Sequence, residues 1–162
     1  MELLIRDVKD GDADAIAQIY RHHVLHGTAS YDIEPPPTAF HLEKVRRICA
    51  AGWPFLVAEL RGQLAAYAYV TQFRDRAAYR FTGEDSIYVH PEKMGQGIGR
   101  VLLEELVERS GKSGFRTLVA VIGGAEPASI ALHRRCGFRE VGRLEAVGFK
   151  AGKWLDSVYM QR

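Results

Sequence analysis

Residues 84–100 read Glu84-Asp85-Ser86-Ile87-Tyr88-Val89-His90-Pro91-Glu92-Lys93-Met94-Gly95-Gln96-Gly97-Ile98-Gly99-Arg100, and Val101–Arg109 continue them. The first part is an alternating, β-rich run that stops at Pro91. A glycine cluster follows, and then Ile98, Leu102 and Leu106 recur at i, i+4, i+8, the apolar stripe of an amphipathic helix. A strand that passes through glycines into a helix can hold an anion. The first helical amides have no internal partner, they lie at the positive end of the dipole, and glycines let a phosphate reach the backbone. Two nucleotide fingerprints fail on this stretch. G-x-G-x-x-G counted from Gly95 and Gly97 ends on Arg100, and Leu118 and Val119 stand where an acidic ribose partner belongs. The P-loop tail Gly111-Lys112-Ser113 has Leu106 in place of its first glycine, and it closes a helix instead of opening one.

The spacing Met94-x-x-Gly97-x-Gly99 resembles the acyl-CoA pyrophosphate loop [RQ]-x-x-G-x-[GA] of the GNAT N-acetyltransferases, with Met94 replacing the usual Arg or Gln. Glu84–Val89, Ser129–His133, Cys136-Gly137-Phe138 and Val147–Asp156 are similar to the phosphinothricin acetyltransferase branch, and nearly the whole chain lines up. The resemblance implies one GNAT domain over residues 1–162. Its fold is α/β, a mixed, mostly antiparallel sheet of about six or seven strands with a central splay, flanked by about four helices. It also implies acetyl-CoA as co-substrate, no metal, and a homodimer.

Composition agrees with a single domain of ordinary type. The chain has 162 residues, 47% hydrophobic and 26% charged, enough for a proper core. A net charge of +2 argues for neither nucleic acid nor a membrane surface. No apolar run approaches the roughly 18 residues of a membrane span, and the N-terminus does not read as a signal peptide, so a cytoplasmic protein is expected. Cys49 and Cys136 read as free, reduced thiols.

Taken in order, Leu3-Leu4-Ile5 is a strand, Asp10 or Asp12 can cap a helix carrying Ile16, Ile19, Tyr20 and Val24, and residues 27–37 form a loop ended by three prolines. His22, His23 and His26 do not share one face well enough to read as a metal site. Thr38 is placed to cap a helix running to Ala51. Phe55–Leu60 and Leu64–Thr71 form a hairpin across Arg61-Gly62-Gln63. Thr117–Ile122 reads as a strand buried on both faces, and Pro127 opens a helix through Cys136 that Gly137 stops. Arg139–Met160 reads as two strands linked by Gly148 and Gly152.

Acetyl transfer to an amine needs a base, a polarised carbonyl, and a proton for the departing sulfur. Glu84 matches the branch's catalytic glutamate; Asp85, next along the strand, points to the opposite face and is the weaker candidate base. His133 stands where many GNAT proteins have a tyrosine acid, and an imidazole titrating near neutrality can donate that proton. By resemblance the co-substrate contacts are Ile87, Tyr88 and Val89 on the strand and Met94, Gly95, Gln96, Gly97, Ile98, Gly99 and Arg100 in the loop. Ser129 joins them, as does Glu126, which replaces the family's frequent Asn and cannot donate as an amide does. Arg74 and Arg76 match the branch's Arg-x-Arg clamp, and a guanidinium pairs bidentately with a carboxylate or phosphinate. Arg80 reads as a further, more surface-like charge. Tyr31 and Asp32 match the branch's substrate loop, with Lys150 and Trp154 on the same pocket. The expected activity is acetylation of the α-amine of a small amino acid such as phosphinothricin or methionine sulfoximine or sulfone, by direct attack. Other amines remain open (a polyamine, an aminoglycoside, a protein N-terminus), as does a non-catalytic acyl-CoA sensor suggested by Met94 and Glu126.

Overall fold

The computed structural model describes residues 2–162. Its strands are β1 Leu3–Asp7, β2 Phe55–Leu60, β3 Gln63–Gln72, β4 Thr82–Val89, β5 Thr117–Gly123, β6 Arg139–Lys150 and β7 Lys153–Gln161. Its helices are α1 Ala13–His26, α2 Thr38–Ala50, α3 Ile98–Lys112 and α4 Pro127–Arg135. The strands make one seven-stranded sheet in the order β1-β2-β3-β4-β5-β7-β6. Five of the pairings are antiparallel, and β4–β5 is parallel. The expected mixed, mostly antiparallel α/β architecture with four helices is what forms.

Period-2 alternation divides the core between the faces of the sheet. Leu56, Ala58, Ala66, Ala68 and Val70 bury against Ile98, Leu102, Leu103 and Leu106 of α3. Phe55, Val57, Tyr67 and Tyr69 bury against Ile16, Ile19 and Val24 of α1 and Val45 and Ile48 of α2. Among the described residues no helix is long and apolar enough to cross a membrane.

Several local expectations are corrected. Asp12 does not cap α1: its carboxylate accepts from both Arg6 Nη1 and Nη2 at 2.8 Å and from the Lys9 amide at 2.7 Å, so the stronger charged partner claims it. Thr38 is the first residue of α2, with Pro37 at the cap position. Gly148 lies inside β6, and the turn to β7 is Ala151-Gly152, both in the left-handed region. Burial of β5 on both faces is met on one only. Leu118, Ala120 and Ile122 are buried while Val119 and Val121 are half-buried; the loop after α1 packs on the end of the strand, at Gly123.

Candidate active site

The parallel pairing of β4 with β5 runs from Thr82↔Thr117 to Asp85↔Ala120 and stops there. Beyond it the strands part, since β5 turns its other edge to β7 through Gly123↔Ser157 while β4 stays with β3 through Val89↔Ala66. The gap is a cleft lined by Ser86, Ile87 and Tyr88 of β4, Val121 and Gly123 of β5, and Glu126, Ser129 and His133. An unpaired strand edge presents backbone donors and acceptors to whatever enters. Val89's carbonyl is already taken: it accepts from His23 Nε2 at 2.8 Å, which fixes that ring's tautomer, and burial lowers its pKa. Nothing in the sequence marked His23 for this.

At the outer end of β4 the chain turns through residues 91–93 into Met94–Gly97. His90 Nδ1 accepts from the Glu92 amide at 3.2 Å, and Gln96 Nε2 donates to the Glu92 carbonyl at 3.3 Å. Gly97, at φ +81°, holds the N-cap position of α3 and offers no side chain to it. A Cβ on Gly95 or Gly97 would meet nothing within 4 Å, so the loop opens on space. The amides of Ile98, Gly99 and Arg100 are therefore the leading turn of a fifteen-residue helix with no capping side chain. This arrangement fits an anion such as a pyrophosphate. The Arg100 guanidinium is occupied with Glu104 at 2.8 Å, and Met94 is exposed. Glu126 caps α4, its carboxylate accepting from the Ala128 amide at 3.3 Å.

Glu84 and His133 stand on opposite faces of β4. Glu84 pairs in register with Thr71 and shares its face with Ser86 and Tyr88, toward the α1–α2 side. It is half-buried, with Arg74 Nη1 3.8 Å from Oε1. Burial pushes the Glu84 carboxyl above its ordinary range, Arg74 pulls it down in part, and Asp85 adds to the rise. Arg74 lies over the Phe73 ring at 4.1 Å, and the carbonyls of Arg74 and Arg76 accept from Gln72 Nε2 at 2.7 and 2.9 Å. Among the described residues no carboxylate comes within 4.0 Å of the Arg76 or Arg80 side-chain nitrogens.

On the other face His133 is buried, its Nε2 2.7 Å from Asp85 Oδ2 and its Nδ1 2.8 Å from the Ser129 carbonyl. Burial alone would lower the ring's pKa; the Asp85 charge and hydrogen bond, with Ser129, outweigh it and raise it. Asp85 was placed on the correct face by strand alternation, but its contact spans 48 residues of sequence and had no local signal.

Tyr31, Asp32 and Lys150 come together as the fastening of the loop after α1. Tyr31 Oη donates to the Asp156 carbonyl at 2.8 Å, accepts from the Gly124 amide at 3.0 Å and lies 3.0 Å from Ser157 Oγ. Lys150, buried, donates to the Ser30 carbonyl at 2.7 Å, and burial lowers the pKa of its ammonium. Asp32 accepts from the Tyr20 hydroxyl, which also meets Ser30 Oγ at 2.7 Å. Trp154 is exposed on the β6–β7 hairpin against Phe149. Among the described residues no cluster of three metal-ligating side chains forms.

The sequence profile of the Acetyltransferase (GNAT) family matches residues 16–138. The phosphinothricin N-acetyltransferase of Alcaligenes faecalis is 47% identical over 159 residues, 98% of this chain and 81% of that protein. The L-methionine sulfoximine/L-methionine sulfone acetyltransferase of Salmonella typhimurium is 36% identical over 159 residues, 98% of this chain and 93% of that one. A crystal structure of a GNAT superfamily phosphinothricin acetyltransferase from Sinorhizobium meliloti in complex with AcCoA superposes with a TM-score of 0.97 at 49% identity, covering 100% of this chain and 88% of the other. The chain belongs to the GNAT acetyltransferase family.

Proposed function

We propose that this GNAT protein acetylates the α-amine of a small anionic amino acid, of the phosphinothricin or methionine sulfoximine type, with acetyl-CoA as donor. The observation that carries the reading is the parted β4–β5 edge, with an uncapped helix start at its outer end and a half-buried carboxylate beside an arginine at its inner end. The named activities of the Alcaligenes and Salmonella relatives support the substrate class.

In this reading the amides of Ile98–Arg100 hold the pyrophosphate and the β4 edge from Ile87 to Val89 holds the arm. Acetyl-CoA supplies the activated acetyl group as a thioester. Glu84 takes the proton of the substrate ammonium. Its raised pKa narrows the gap between base and ammonium, which makes that transfer less uphill. Arg74 and Arg76 hold the acidic group of the substrate so that its amine faces Glu84. His133, from the opposite face of β4, holds the proton destined for the departing sulfur. Transfer is direct, with no covalent enzyme intermediate; burial pushes the Cys136 thiol up, away from the thiolate a nucleophile needs. A homodimer through the β6–β7 side accords with exposed Val141, Leu144, Val147, Phe149 and Trp154 there.

The test follows free thiol release from acetyl-CoA over a panel of phosphinothricin, methionine sulfoximine, methionine sulfone, common amino acids, spermidine and an aminoglycoside. Turnover concentrated on the glutamate-like analogues is the expected result. Turnover confined to spermidine or the aminoglycoside overturns the substrate class. Acetyl-CoA binding by calorimetry with silence across the panel overturns the enzyme in favour of a binding module.

A further inference from the structure

The face of β4 opposite Glu84 carries a buried pair whose proton count is fixed by geometry. Both ring nitrogens of His133 meet acceptors: the Ser129 carbonyl at 2.8 Å from Nδ1, and Asp85 Oδ2 at 2.7 Å from Nε2. A carbonyl oxygen cannot donate, so Nδ1 carries hydrogen. A neutral imidazole has only one N–H, and Nδ1 has used it. The contact at Nε2 therefore needs one more proton, on the ring or on the carboxyl. The Asp85 contact and the Ser129 carbonyl strengthen the ring's hold on a proton by more than burial weakens it, so the proton resides on the ring.

The surroundings agree with that choice. The Asp85 side chain is 1% exposed, and its Oδ1 has no partner among the described residues. A buried carboxylate so placed needs a compensating cation. From α4 the ring meets Ser129, whose Oγ lies 3.5 Å from Nδ1, and the Phe138 ring stands edge-on at 5.0 Å. β5 contributes apolar Ala120 and Ile122, and Glu126 lies farther along the cleft wall. Of the other titratable groups near Asp85, Glu84 stands on the opposite face of β4 and Cys136 is held as a thiol by burial. The ring is thus the cation that answers Asp85. Both groups line the cleft with Ser86 and Ile87.

We propose that Asp85 is a positioning residue of the acyl-transfer site: it locks His133 as a doubly protonated imidazolium in the wall of the cleft, across the pH range in which a free histidine is neutral. The role extends the proposed acetyltransfer and rests on it for its purpose, since only the protonated ring holds the proton destined for the departing sulfur. The protonation state itself rests on the pair's contacts and burial and does not depend on acetyltransfer.

The test is an imidazole nitrogen NMR titration of the intact protein without acetyl-CoA, the His133 signals being assigned by their loss in His133→Gln. Wild-type His133 is expected to keep both nitrogens protonated at neutral pH, above the range in which a free histidine loses its proton. Asp85→Asn, close in size but uncharged, should move the ring's titration down by about one unit or more. The alkaline limb of the kcat profile should shift the same way, while KM for acetyl-CoA stays within about twofold. A wild-type ring with one bare nitrogen at neutral pH overturns the proposal even if the variant does not fold. So does an Asp85→Asn titration that stays put. A doubly protonated ring in a protein that turns over no amine leaves the pair standing and removes the acetyltransfer reading instead.

Discussion

The ring of Tyr31 lies so close to Gly148 that a Cβ built on the glycine would stand 2.8 Å from Cε2 and 2.9 Å from Cζ. Gly123 closes the other side, its Cβ position 2.9 Å from Tyr31 Cε1. The loop after α1 is thereby clamped across the ends of β5 and β6, where β4 and β5 have already parted. Gly148→Ala should overpack this contact by about 1–3 kcal/mol. Paired with Tyr31→Ala it should cost clearly less than the sum of the two single changes, because the clash disappears with the ring. Urea denaturation of the four proteins checks this; strict additivity would mean that the loop moves aside freely.

Glu84→Gln removes the proposed base while keeping its shape. kcat should fall about 10²–10⁴-fold with KM for acetyl-CoA little changed. In the wild-type enzyme the rate should rise with pH through Glu84's elevated pKa, since only the ionised carboxylate accepts a proton. That limb should vanish in the variant, which steady-state kinetics across pH will read.

Arg74 is half-exposed and 3.8 Å from Glu84, so as a surface pair it contributes only about 0–1 kcal/mol to stability. Arg74→Ala should leave thermal stability nearly untouched and raise KM for an anionic amino acid far more than KM for acetyl-CoA. Equal effects on both substrates would assign Arg74 to structure.

Asp85→Ala breaks the buried pair and should destabilise by about 3–5 kcal/mol near pH 6. The folded pKa of His133 is raised, so the pair's contribution is complete below the unfolded value of about 6.5 and fades as pH climbs through the folded value. The gap between wild type and variant should therefore be widest at mildly acidic pH and narrow in alkali. Denaturant midpoints at about pH 6 and about pH 9 measure it.

Gly97 takes φ +81° in open space, so Gly97→Ala meets no clash but forces a side chain into the left-handed region, at about 1–2 kcal/mol. If the helix start relaxes to avoid that strain, KM for acetyl-CoA should rise roughly tenfold. KM for the amine should hold, and initial-rate kinetics in both substrates separate the two.

What could be read from the chain was what local chemistry encodes. The alternation of Ser86–Val89, the glycines of 95–99 and the stripe Ile98-Leu102-Leu106 located β4, its turn and α3, and Pro127 and Gly137 bracketed α4. Gly148 misled because a glycine between apolar residues looks like a turn; its reason is a ring brought from residue 31. Asp85, His23 and Lys150 were illegible in their roles for the same reason. Each acts through one contact with a distant partner, His133, Val89 and Ser30, and the periodicity of a single element carries no trace of it.

The β4–β5 contact spans four residue pairs and is the parallel one in a sheet otherwise antiparallel. Mechanically the sheet is two blades, β1–β4 and β5–β7–β6, joined by a short stitch. A guest lying in the gap touches both blades, so its occupancy sets the angle between them as well as filling space. The stitch of 82–85 with 117–120 is thus the hinge on which loading is felt, and those amides of 86–89 and 121–123 that face the gap should slow together in hydrogen exchange when it is filled.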